Sequence, residues 1–313
     1  PEVVASIPYL RQRDSQSRQM IPVPRGNRVA TIMNVTRRNF SGELEFLANN
    51  LPPGIVMHAP KVPANLTQVP IVFEAADNAP LTKSLVDLRV LHTGATGKKI
   101  EGGFRQNLDL VYGPPNNRTY YVSTLDRLAV AATKKVPFSI KLLKPETPII
   151  QSGSMSLKVV ALRDANFTAA INVRLLTRPP GIGASSSINI AAGKTEANYP
   201  ITANGGAGIG TWQIAMLAAA KTSHGEVLTS SELIDLVIEP PYLKVKINMS
   251  AIERGKEGEI ICDLEQLRPF ENEATITLHG LPAKVTTTPQ KLDKNATQVV
   301  FPVSSDPTSR AGL

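Results

Sequence analysis

The 313-residue chain carries 34 Lys and Arg against 26 Asp and Glu, a net charge of +8, with 25 prolines and only 19% charged residues. That length admits two or three domains, each with its own core, and abundant proline with few charges suits strands, turns and short linkers. No run of about 18 apolar residues occurs, which excludes a transmembrane helix in this segment, and a single cysteine excludes an internal disulfide or a cysteine metal centre.

In chain order, Pro1-Glu2-Val3-Val4 has neither a basic start nor a long apolar stretch, so it is not a signal peptide. Without an initiator Met, it is expected to be a cut inside a larger chain. From Pro8 onward one pattern is written three times. The first copy reads Pro8-Tyr9-Leu10, the strand Arg28 to Val35, Asn39-Phe40-Ser41 and Leu51-Pro52-Pro53-Gly54. The second reads Pro137-Phe138-Ser139-Ile140, Ser156 to Leu162, Asn166-Phe167-Thr168 and Arg178-Pro179-Pro180-Gly181. The third reads Pro241-Tyr242-Leu243, Glu259 to Leu264, Pro269-Phe270 and Leu281-Pro282-Ala283. The opening proline precedes the phenylalanine by 32, 30 and 29 residues, and the phenylalanine precedes the corner proline by 12 in every copy. A period of about 100 residues is too long for a solenoid and suits a tandem array of independent domains.

Within each copy apolar residues recur at every second position, as a half-buried strand requires. Leu157, Val159 and Ala161 share one face, as do Ile171, Val173 and Leu175, and in the third copy Ile276 and Leu278. The Ala-rich run from Trp212 to Ala220 reads as a strand with Trp212, Ile214 and Met216 on one face. Proline ends a strand at a sheet edge and glycine permits a positive φ, so Pro-Pro-Gly predicts a tight corner. The repeated phenylalanine is expected to plug a sandwich end. Together these features predict an all-β fold of tandem immunoglobulin-like (fibronectin III-like) β-sandwich modules in a rod-like array.

The modules are placed at residues 1–134, 135–239 and 240–313. Short proline-containing linkers, Lys134-Lys135-Val136-Pro137 and Glu239-Pro240-Pro241, imply a semi-rigid rod. The first copy is 25 residues longer than the second, and the excess near 93–118 predicts an extra hairpin or long loop. The third module is incomplete at its C-terminal end, since nothing after Val303 matches Trp212 to Met216 or the closing strand. Either the chain is truncated or another segment completes the sandwich, and an edge left unpaired would be sticky.

Three phrases carry a family resemblance: Tyr112-Gly113-Pro114-Pro115-Asn116-Asn117, Asp126-Arg127-Leu128-Ala129-Val130-Ala131, and the glycine-rich run Asn204 to Ile214. They resemble the immunoglobulin-like repeat region of large secreted planctomycete-type bacterial proteins, which often also carry a pre-peptidase C-terminal-type domain. The resemblance covers nearly the whole chain. It implies an exported protein with immunoglobulin-like modules and supplies no activity, because no catalytic residues are assigned to these repeats.

No reactive cluster stands out. His58, His92, His224 and His279 occupy non-equivalent positions without metal-ligand spacing, and no serine sits in a Gly-x-Ser-x-Gly elbow. His58 and His92 share a module with Asp77 and Asp87, so a composed site can be drawn, but surface histidines without a role are expected. Gly94 to Lys99 fails the spacing of a phosphate loop, and Gly205 to Gly210 leads into a strand rather than a helix. Acidic residues are dispersed, with no calcium-loop pattern; a calcium ion at an inter-module junction stays open. Cys262, within Ile260 to Leu264, reads as a small buried hydrophobe. No catalytic residue, cofactor or metal is expected.

A pI near 9.6 raises the question of polyanions. Arg11, Arg13, Arg18, Arg25, Arg28, Arg37 and Arg38 face only Asp14 over the same span. Arginine forks recognise sulfate, phosphate and carboxylate, so these seven are candidates for binding acidic polysaccharide or lipid headgroups. The competing reading is solvated, edge-protecting charge. Nucleic acid is disfavoured, because aromatics are not interleaved with the basic residues. The Asn-x-Ser/Thr sites at Asn34, Asn39, Asn65, Asn117, Asn166, Asn248 and Asn295 read as Thr-rich turns and strands.

The leading expectation is a non-enzymatic, extracytoplasmic array that spaces or anchors other domains of the parent chain at the cell surface. The alternative is an accessory polysaccharide-binding region of a secreted hydrolase. That reading is weakened because Trp212 is the sole tryptophan and its alternation with Ile214 implies burial.

Overall fold

The computed structural model describes residues 1–8, 11–12, 15–16, 19–94, 97–115, 118–223, 225–270 and 274–310, and every regular element among them is a strand. The chain forms two compact units, Pro1–Glu239 and Pro240–Leu313.

The first repeat contains β1 (Glu2–Ser6), a two-residue ribbon β2 (Arg11–Gln12) and β3 (Ser15–Gln16), β4 (Met20–Pro24), β5 (Asn27–Arg38), β6 (Glu45–Asn49) and β7 (Ile55–His58). It continues with β8 (Gln68–Ala75), β9 (Lys83–Thr93), β10 (Lys99–Phe104), β11 (Gln106–Gly113), β12 (Arg118–Leu125) and β13 (Leu128–Thr133). One layer is ordered β1-β5-β8-β7; the other holds β6, β9, β13 and β4, with β4 parallel to β13. β10 pairs with β9 on one side and runs parallel to β1 on the other, joining the layers. Alternate residues of the strands point between them, Met33 and Val35 of β5 against Val86, Leu88 and Val90 of β9 in one core.

The second repeat contains β14 (Phe138–Leu142), β15 (Ile149–Ile150), β16 (Ser154–Arg163), β17 (Ile171–Leu175), β18 (Ile182–Ala184) and β19 (Ile188–Ile190). β20 (Glu196–Ala203), β21 (Gly210–Ile214), β22 (Met216–Thr222), β23 (Gly225–Ser230) and β24 (Ile234–Glu239) follow. Its layers are β14-β16-β20-β18 and β19-β17-β22-β23, and β15-β24-β21 extends the second. The first, second and fifth major strands share one sheet, and the third, sixth and seventh share the other. That is the strand order of an immunoglobulin-like sandwich, and the first repeat shares it. The chain is therefore all-β, built from tandem sandwiches of this type.

Local predictions can be compared strand by strand. At each corner the same turn closes: Ile55 N–H to Pro52 O at 3.0 Å, Ile182 to Pro179 at 3.0 Å, and Val285 to Pro282 at 3.1 Å. The third turn residue has φ +79° at Gly54, +78° at Gly181 and +68° at Lys284, as a type II turn demands. Phe40, Phe167 and Phe270 are half-buried and pack against the core of their own repeat. The Trp212 strand differs from expectation. It breaks at Ala215, where the chain leaves β24 and joins β17 and β23, so Ile214, Ala215 and Met216 are all buried while Trp212 is only half-buried.

The excess of the first repeat is a hairpin, β11 with β12, set into the last strand of the sandwich. β10 and β13 pair with β9 as β23 and β24 pair with β22 and β21, but residues 105–127 separate the former pair and only 231–233 the latter. The hairpin thus lies further along the chain than 93–118, a span that also takes in the β9–β10 turn.

The third repeat contains β25 (Leu243–Ile247), β26 (Glu257–Gln266), β27 (Ala274–Ile276), β28 (Val285–Thr287), β29 (Gln290–Leu292) and β30 (Gln298–Ser305). One sheet is β25-β26-β30-β28 and the other is β27 with β29. β17 is flanked by β19 and β22, whereas among the described residues β27 pairs with β29 alone. Accordingly Ile171, Val173 and Leu175 are buried while Ala274, Ile276 and Leu278 are half-buried.

Cys262 is 1% exposed on β26, and burial, then the charge of Asp263, pushes its thiol pKa up. Because the thiolate is the nucleophile, iodoacetamide at pH 8 should label the folded chain roughly 100-fold more slowly than the urea-unfolded chain. Equal rates would contradict this core.

Candidate functional site

The outer face of the β5–β8 layer is covered within the first unit. Ala30 and Val72, which point away from the first core, are buried with Ala215 of the second repeat, and Leu176 and Leu233 pack around them. The side-chain amide of buried Asn27 donates to Phe138 O at 2.7 Å, and Lys135 in the linker pairs with Asp77 at 2.8 Å. The linker prolines thus share the work of fixing the first two sandwiches with a packed apolar face.

Beside this face lies a cleft of about 610 Å³. Ile32, Leu66 and Pro70 form one wall; Leu176, Arg178 and Trp212 belong to the other. The Trp212 Nε1–H donates to Gly208 O at 2.7 Å, and a Cβ on Gly208 would lie 2.8 Å from the indole, so the ring is held by close backbone approach. Gln213 is tied to Asp235 through its side-chain amide. β21 hydrogen-bonds to β24 along one edge, and at the two ends of its other edge Leu176 N–H donates to Ala215 O at 3.0 Å and Gly208 N–H to Pro180 O at 2.9 Å. Lys61 lies between Glu43 at 3.0 Å and Glu45 at 2.8 Å, hydrogen bonds that hold its ammonium pKa above the ordinary lysine value. Arg178 is exposed and forms no ion pair among the described residues.

The sequence-predicted arginines are distributed otherwise. Arg11 lies in β2, its side chain outside the described residues, as are Arg13 and Arg18 entirely. Arg25 donates to Ala79 O, Arg28 pairs with Glu74 at 2.7 Å, and Arg38 pairs with Glu2 at 3.2 Å. Arg37 donates to the carbonyls of Gly42, Leu66, Val62 and Pro63 at 2.6–3.1 Å, and burial lowers its pKa. Arg28 and Arg38 stand ten residues apart on β5, about 33 Å at the rise of a strand. The four described arginines are not gathered into one patch.

Arg37 has counterparts that sequence reasoning missed. Arg163 donates to Lys194 O at 2.8 Å and Ala169 O at 2.6 Å, and lies 5.6 Å from the Phe167 ring centre. Arg268 donates to Pro240 O at 3.1 Å and covers Tyr242 at 4.5 Å. The available signal was an arginine shortly before each repeated phenylalanine. Arg163→Ala should cost about 2 kcal/mol, since its charge-assisted bonds to the loop carbonyls of Ala169 and Lys194 are lost. A urea midpoint unchanged from wild type would contradict that role.

The drawn histidine–aspartate site does not form. His58 meets Glu74 at 3.1 Å on β7, while His92 on β9, in the opposite layer, donates Nδ1–H to Glu43 O at 2.8 Å and sits 5.4 Å from the Phe40 ring. Asp87 pairs with Arg89 and Arg127, and Asp77 with Lys135. His279 is exposed, and His224 lies outside the described residues. Among the described residues no group of three His, Cys, Asp or Glu could hold a metal ion.

No protein-family model matches the chain, and no curated protein matches its sequence. Solved structures with some likeness include a protein of unknown function from Porphyromonas gingivalis W83, at 11% identity over 55% of this chain and 84% of that one, TM-score 0.26. The fibronectin(III)-like modules of Clostridium thermocellum CbhA match at 12% identity over 72% and 90%, TM-score 0.20. The D00-D0 domain of intimin matches at 8% identity over 75% and 99%, TM-score 0.23. Scores this low say nothing about what the chain binds; its own strand order defines the fold.

Proposed function

We propose that this chain is a non-catalytic segment of an exported bacterial protein of the planctomycete type, spacing and presenting other domains of its parent at the cell surface. The observation carrying this reading is the buried face of Ala30, Val72 and Ala215, which packs two successive sandwiches against each other, as a spacer would need. The clamping of loops by Arg37 and Arg163 supports it, because these charged groups serve the sandwiches themselves. Division into modules 1–134, 135–239 and 240–313 belongs to the same proposal; limited proteolysis should cut first near 239, between the two compact units, and only later near 134, where Lys135 and Phe138 are held by the first sandwich.

The second reading, an accessory region that holds a hydrolase on acidic polysaccharide, is favoured by exposure: the Arg38 side chain is 69% exposed despite its pairing. An array of acidic and neutral glycans at low and moderate salt separates the two. The spacer predicts silence. Saturable binding abolished by charge reversal of Arg11, Arg13 and Arg18 would replace it with the polysaccharide reading.

A further inference from the structure

We propose that the inserted hairpin β11–β12 is a self-association surface, against which a second copy of this chain packs the same apolar face. This goes beyond the spacer reading and is independent of it, since it concerns a contact between copies and does not require export.

Among the described residues β11 and β12 pair only with each other, so they form a two-stranded sheet of their own. Such a ribbon is marginal in water unless a face is covered. Directly opposed residues share a face, and the pairings of Leu108 with Ser123 and Val111 with Tyr121 put these four on one side. Leu110 is the extra residue of a bulge beside Val111, and Tyr120 that of a second beside Tyr121. The other side carries Asn107, Asp109, Val122 and Thr124, and Thr124 Oγ1 donates to Asn107 Oδ1 at 2.8 Å. The apolar side is open toward the tip: Leu110, Val111, Tyr120 and Tyr121 are 57%, 51%, 54% and 60% exposed.

Three considerations commit this face to a second copy. First, Leu108, Leu110, Val111, Tyr120, Tyr121 and Ser123 carry no charge, so two identical faces meet without repulsion and a charged partner finds nothing to recognise. Second, the area suffices. At about 150–250 Å² for a whole aromatic side chain, the four exposed residues present on the order of 500 Å². Two copies then bury about 1,000 Å² together, the lower bound of a specific interface. Third, an isologous contact covers both ribbons at once. A bilayer fits less well, because hydrocarbon would strip water from Asp109 and from the outer edges of both strands, which pair with no third strand.

Sedimentation equilibrium of the whole chain, from about 5 to about 200 µM, reads the association. The expected result is a concentration-dependent shift from 33.7 kDa toward twice that mass. Added salt should strengthen it, because the +8 charge of each copy is screened. Tyr121→Lys should weaken it roughly tenfold. Excising residues 107–124 and closing Gln106 to Leu125 with an Asn-Gly turn should abolish it. Both variants should keep the wild-type circular dichroism. A bismaleimide spanning roughly the 10 Å between packed faces should join two copies of Ser123→Cys and not of Thr124→Cys. Native Cys262 does not interfere, being 1% exposed.

The proposal is overturned if the wild-type chain stays monomeric at about 200 µM, or if Tyr121→Lys or the excised chain associates as wild type. Equal cross-linking of Thr124→Cys and Ser123→Cys would also overturn it. So would retention on phosphatidylglycerol vesicles, lost on excision, in place of self-association. A silent glycan array leaves this result untouched, and a monomer here leaves the spacer reading intact.

Discussion

Val72→Asp is expected to destabilise the first unit by about 4 kcal/mol, because it places a carboxylate without a partner on a dry face. Val72 is fully buried, yet it points away from the core of its own sandwich, toward Ala30 and Ala215. The damage should therefore appear between the sandwiches. In urea, the first unit of the variant should unfold in two transitions where the same unit of wild type is expected to unfold in one, with Trp212 emission changing in the first. Val72→Ala, which removes volume without adding charge, should cost about 2 kcal/mol and keep a single transition. Wild-type behaviour of the aspartate variant would mean that the two sandwiches do not share this face.

Gly181→Ala carries the second large effect, a loss of about 3 kcal/mol that combines a left-handed backbone with steric overlap. Gly181 has φ +78°, and a Cβ there would sit 2.5 Å from Ala207 Cα and 2.7 Å from Asn204 Oδ1. Ala207 belongs to a loop that Gly181 itself anchors, through Asn204 N–H to Gly181 O at 3.0 Å. The third repeat holds the same bond between Asp306 and Lys284, and Lys284 tolerates φ +68°. Backbone strain alone is thus bearable at this corner, and the overlap makes the difference. Gly193→Ala is the control. With φ +71° and nothing within 4 Å of its Cβ, it should lose only about 1 kcal/mol. Equal losses at the two glycines would refute the steric argument.

These two positions also mark what the sequence made legible. The corner at Gly181 is local, written in three consecutive residues and repeated at fixed distance from a phenylalanine, so its turn and positive φ could be read in advance. The face at Val72 was written more faintly. Val69-Pro70-Ile71-Val72-Phe73 is a continuous apolar run, the mark of a strand buried on both faces, and all five residues are buried. Period-two reasoning assigns only one face to the core and passes over that signal.

Charge was the least legible property. Counting arginines along residues 11–38 does not reveal their partners, which lie far off in sequence: Glu74 for Arg28, Leu66 for Arg37 and Glu2 for Arg38. Only pairing between distant strands brings these groups together. The cleft was invisible for the same reason, since Ile32 and Trp212 come from different repeats and form no motif. The inserted hairpin was foreseen as an excess of length. Its position within the last strand required the pairing of β10 and β13 with the same neighbour.

The claim on which both the spacer and the cleft depend is that the first two sandwiches move as one body. Residual dipolar couplings of backbone amides, measured on the weakly aligned full chain, test it directly. A single alignment tensor should fit the amides of residues 19–94 together with those of 138–223. Two tensors of different magnitude or orientation would show the sandwiches reorienting independently, and a preformed cleft between them could not survive that result.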